Sequence, residues 1–137
     1  MSVNPSTPAD RAALADAMND LRREWGYDSR VTVNHLLGRW EVFVHEVQDG
    51  YALTLADYTK ELALRDSLEE LKSRLAGRLR DQIEEVLGAA DERFRFATKQ
   101  TQQPLLPADP PIRFWWFRLP NVLHGELLEN VLAENLI

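Results

Sequence analysis

The feature that most constrains this chain is a run of apolar residues at helical spacing. Leu68, Leu71, Leu75, Leu79, Ile83, Val86, Ala90, Phe94 and Ala97 cover 29 residues in eight steps. The mean step of about 3.6 matches a straight α-helix, not the 3.5 of a supercoiled one. As one unbroken helix, residues 66–99 would be about 51 Å long at 1.5 Å per residue. A chain of 137 residues folds to a radius of gyration of only about 14 Å. The helix must therefore break, or project and be covered by another chain. Glycine costs about 1 kcal/mol against alanine inside a helix, which makes Gly77 and Gly88 the weak points. The spacing predicts a break near Ser73 to Gly77, with helices over about 54–72 and 76–99.

Earlier segments read as helices too. Thr7 is placed to cap a helix that has Pro8 at its first position and Asp10 three residues after the cap. Its apolar residues Ala9, Ala13, Leu14, Met18, Leu21 and Trp25 form one stripe that stops at Gly26. In a second helix, Val33, Leu36, Leu37, Trp40, Phe43, Val44 and Val47 step by three and four until Asp49-Gly50. Thr54 with Asp57 repeats the capping pattern for the third. Glu61–Arg65, Glu70–Arg74 and Asp91–Arg95 are each four apart, and are predicted to mark solvated helix faces. Arg65-Asp66, the one charged pair inside Leu62 to Leu68, is predicted to sit partly buried at a helix junction.

Helical patterning ends at residues 98–103, and Pro104, Pro107, Pro110 and Pro111 force an extended strap. Residues 112–117 suit a short strand or extended chain, and a last helix is expected over about 122–132. The expected fold is a single all-α domain over residues 1–137: a compact bundle of four or five helices, closed by a Pro-rich strap (101–120) and a short C-terminal helix (121–137). Residues 1–7 are expected to be flexible.

Composition narrows the chemistry. No cysteine is present, which excludes disulfides, thiolate nucleophiles, iron–sulfur clusters and cysteine zinc sites. The formal charge of -6 has the wrong sign for holding phosphate backbones or anionic membranes, so neither nucleic acid nor membrane is an expected partner. Without a signal-like start or a long apolar run, a soluble cytoplasmic protein is expected. Thirteen arginines against three lysines fit a GC-rich bacterial coding sequence. Serines fall in neither a nucleophile elbow nor a Ser-x-x-Lys box, and the glycines form no phosphate loop. Glu41, His45 and Asp49 stand four apart on the second helix and could share a divalent metal, but lack the second histidine of a zinc helix. No cofactor and no catalytic residue are expected.

What remains is Pro110 to Pro120, in which Arg113 and Arg118 bracket four aromatics, Phe114, Trp115, Trp116 and Phe117. In an extended chain Phe114 and Trp116 face one way, Trp115 and Phe117 the other. The segment can pack back onto its own helices as core, but one core can bury only one set, which leaves the other for a second copy, a partner or water. Trp and Arg dominate interface hot spots, so these six residues are the candidate contact residues. A non-enzymatic interaction protein of the adaptor, regulator, antitoxin or immunity kind is expected. A homo-oligomeric structural protein is the alternative, and a metal enzyme is less favoured. By counting, residues 101–120 are the only net-positive stretch of the chain.

Overall fold

The computed structural model describes residues 2–101, 105 and 115–136. The chain is all-α, with helices α1 (Pro8–Trp25), α2 (Val33–Asp49), α3 (Leu55–Ser73), α4 (Gly77–Ala97) and α5 (Gly125–Ala133). Strands β1 (Thr98–Gln100) and β2 (Arg118–Pro120) form one small antiparallel ladder, in which Lys99 faces Leu119. The prolines of the expected strap, Pro104, Pro107, Pro110 and Pro111, lie outside the described residues.

Threonine caps start three of the helices. Thr7, Thr32 and Thr54 accept the backbone N–H three residues on, at 3.0, 3.2 and 3.1 Å. Each such cap is worth about 1 kcal/mol. The long periodic run breaks where expected, between Ser73 and Gly77, and Gly77 takes φ +61° at the turn into α4. Leu75 in the link stays buried, so the apolar stripe passes through the break without a gap. Gly88 lies inside α4 and ends nothing.

The core lies between α2, α3 and α4. Trp40 and Phe43 of α2, Tyr58 of α3 and Phe94 of α4 are fully buried. Ring centroids are 5.2 Å apart for Trp40–Phe94 and 5.4 Å for Phe43–Tyr58, within the range where aromatic pairs gain about 0.5–1.5 kcal/mol beyond burial. The chain then closes at Gly50, whose φ is +118°. A Cβ there would lie 2.1 Å from His124 Nε2, so glycine lets the α5 entry pack on the end of α2. At the other end of the chain, Val3 is buried, and Asn34 clasps it by accepting Val3 N–H at 2.7 Å and donating to Val3 O at 3.1 Å.

Three expectations change. Of the solvated pairs only Glu70–Arg74 forms, at 2.8 Å; Arg65 and Asp91 are buried together instead, and Arg95 lies over Trp115. Tertiary partners outcompete an exposed pair worth a few tenths of a kcal/mol. Arg65-Asp66 marks no junction, since both sit in the middle of α3. The strand forms at residues 118–120 because residues 98–100 pair with it, a long-range contact with no local signal.

Candidate interaction surface

The site is built on a buried polar network. Arg65, Asp66 and Asp91 are 3, 5 and 6% exposed. Asp91 accepts Arg65 Nε at 3.1 Å and Trp40 Nε1 at 3.0 Å on one oxygen, and Arg65 Nη2 at 2.8 Å on the other. Arg65 Nη1 also donates to Glu69 at 2.9 Å. Burial works against the charged guanidinium, yet the hydrogen bonds and charge of Asp91 and then Glu69 outweigh it, and the pKa of Arg65 is raised. Arg65 is thus a fixed cation in the core. Its guanidinium lies 4.3 Å from the ring centroid of Trp116, whose Nε1 donates to Asp66 at 2.8 Å.

These contacts fix Trp116, which is 2% exposed. The candidate contact residues therefore divide. Trp116 belongs to the core. Trp115 and Phe117 are half-buried and pack on its edge. Arg118 is half-buried, its Nε donating to Thr98 Oγ1 at 2.8 Å and Nη2 to Thr98 O at 2.9 Å. Tyr58 Oη donates to Arg118 O, and burial raises the Tyr58 pKa well above its usual value. Arg113 and Phe114 lie outside the described residues. The alternation of faces fails at Trp115 and Trp116, where the backbone turns and the two rings meet edge to face, 5.6 Å apart at 87°.

Outside this clasp lies an apolar and basic end. Arg95 of α4 covers the Trp115 ring at 3.7 Å. The next residue, Phe96, is 80% exposed. Asn121 binds the same stretch, its N–H to Ala97 O and its Nδ2 to Phe96 O, both at 2.9 Å. Val122 follows it and is 67% exposed. Residues 92–101 and 115–122 hold four basic side chains, Arg93, Arg95, Lys99 and Arg118, against one acid, Glu92. Phe96 and Val122 are not among the contact residues the sequence predicts. The signal was there for Phe96: it stands two residues beyond Phe94 of the buried stripe, about 200° round the helix.

The other candidates do not assemble. Glu41, His45 and Asp49 share α2, but His45 Nε2 lies 3.5 Å from Arg93 Nη1. Among the described residues no three His, Asp or Glu side chains are grouped to hold a metal ion. A hollow of about 470 Å³ between α2 and α3 is lined by residues including Arg39, Val42, Glu46 and Glu61. Burial raises the Glu61 carboxyl there, Arg39 opposes this, and the charges of Glu46 and Asp57 add to it. None of the described helices is long and apolar enough to cross a membrane.

By fold the chain is a small helical bundle closed by a two-stranded clasp. No protein-family model, curated protein or solved structure matches it.

Proposed function

We propose that this protein is a non-enzymatic protein–protein interaction module, of adaptor, regulator, antitoxin or immunity kind, that works in the cytoplasm. The contact surface is the end of the bundle around β1 and β2, where Trp115, Phe117, Phe96 and Val122 present apolar area among Arg95, Lys99 and Arg118. One observation carries the reading: Phe96 is 80% exposed, next in sequence to Arg95, which lies over the Trp115 ring. Aromatic and arginine side chains are the residue types that anchor interfaces, and the clasp holds them on a rigid base, which lowers the ordering cost of binding. The cysteine-free sequence needs no oxidising compartment, which is the support for the cytoplasmic placement.

Crosslinking in the native host tests it, with wild type and with Phe96→Ser plus Trp115→Ala as baits. The double variant is expected to lose the wild type's principal crosslinked species, foreign or homotypic. Identical patterns from both baits would remove the role assigned to this end.

A further inference from the structure

We propose that the occupant of this surface is a second copy of the same chain, seated so that the basic, apolar end of one protomer meets the acidic helix α5 of the other. This rests on reading the β1–β2 end as a contact surface and names its partner.

Charge is the first argument. Arg95 and Lys99 are exposed at this end, with Arg118 half-buried beside Thr98, in a chain of net charge -6. Residues 121–136 carry Glu126, Glu129 and Glu134 and neither lysine nor arginine. All three glutamates are exposed, and no ion pair within the chain is formed by any of them among the described residues. Opposite patches of this kind steer association and fix register.

Apolar anchors stand on both sides. Phe96 and Val122 are exposed at the basic end, and Leu132 is 55% exposed on α5. Exposed apolar area rimmed by charge is the usual mark of a protein contact.

Topology supplies the third argument. Val122 is three residues before Gly125, where α5 begins, so the basic end and the acidic helix are neighbours on one chain. A twofold axis between them sets each against its complement twice over, which makes a closed pair and no open fibre. The two contacts are equivalent.

Sedimentation velocity from micromolar to hundreds of micromolar tests this. The wild type is expected to form a dimer. Phe96→Ser is expected to weaken it about tenfold or more, and Lys99→Glu and Glu129→Lys each to weaken it by a similar factor. An equimolar mixture of those two charge variants is expected to recover the wild-type dimer, because each contact in the mixed pair again joins opposite charges. Circular dichroism and the melting midpoint of each variant check that the fold is retained.

A monomer throughout the range, or a dimer indifferent to all three substitutions, would overturn the proposal. So would single variants that weaken the dimer and do not rescue one another. The surface reading fails separately: a monomeric chain whose Phe96→Ser, Trp115→Ala bait still loses a crosslinked partner removes the second copy and keeps the surface.

Discussion

Trp116 donates its indole N–H to the buried carboxylate of Asp66 and lies against the guanidinium of Arg65, whereas Trp115, one residue earlier, is half-buried beneath Arg95. Both rings meet an arginine, and the difference lies in what holds that arginine. Arg65 is locked by two carboxylates inside the bundle, while Arg95 is exposed on α4. A buried ion pair gains little net stability over an apolar packing of the same volume, because each ion gives up several kcal/mol of hydration. Its expected effect is to favour one arrangement of α3, α4 and the returning chain. Among the described residues the outer tryptophan and the exposed Phe96 have no such carboxylate lock, and most of the Phe96 side chain faces solvent.

The largest expected effect is on the inner region. Asp91→Ala leaves Arg65 and the Trp40 indole without their shared acceptor, and should lower the unfolding free energy by about 3–5 kcal/mol in urea titration. A loss of under ~1 kcal/mol would erase the distinction between the two arginines.

The tryptophans then separate by bond and not by size. Trp116→Phe keeps a buried ring but removes the donor to Asp66 and trims the indole to one ring, at an expected cost of about 1–3 kcal/mol. Trp115→Phe removes an indole that makes no hydrogen bond among the described residues and should cost less than ~1 kcal/mol in the same assay. Equal losses would mean that Trp115 is as firmly held as its neighbour.

A smaller effect distinguishes the carboxylates. Burial opposes ionisation of Glu69, but the hydrogen bonds from Lys72 and Arg65 overcome it and hold its carboxyl below the usual range. Its folded pKa is thus below the unfolded one. The stability it adds is present above the unfolded carboxylate pKa of about 4.3 and is lost as pH falls through the folded value. Glu69→Gln is expected to flatten the acid limb of the stability curve. Glu61, raised by burial, has the opposite sign: its ionisation costs stability as pH rises from the unfolded towards the folded value, and Glu61→Gln should raise the melting midpoint slightly at neutral pH.

The smallest expected change in stability is at the outermost residue. Phe96→Ser should stay within about 0.5 kcal/mol of wild type, while altering association. A large loss of stability would make Phe96 part of the fold and not of a surface.

Most of the helical frame is legible in the sequence, because caps and apolar stripes are local signals. Thr7, Thr54, Gly26 and the break before Gly77 all follow from residues within one turn of the feature they mark. The polar network is not legible, since Arg65 finds Asp91 across 26 residues and Trp116 finds Asp66 across 50. A four-residue spacing such as Asp91–Arg95 looks like a solvated pair until a distant partner claims one member. The prolines and aromatics mark the cluster in the sequence but predict extended backbone through Trp115 and Trp116, where the chain turns. Phe96 could be read as off the stripe, yet only the bonds of Asn121 to Phe96 O and Ala97 O bring its backbone to the segment that carries Val122.

Backbone amide NMR shifts followed over a rising concentration of uniformly ¹⁵N-labelled chain test the contrast most directly. Concentration-dependent shifts are expected at residues 95–99, at Val122 and along α5, with Asp66, Asp91 and Trp116 unmoved. Shifts confined to α1 or α2, or none at any concentration, would contradict it.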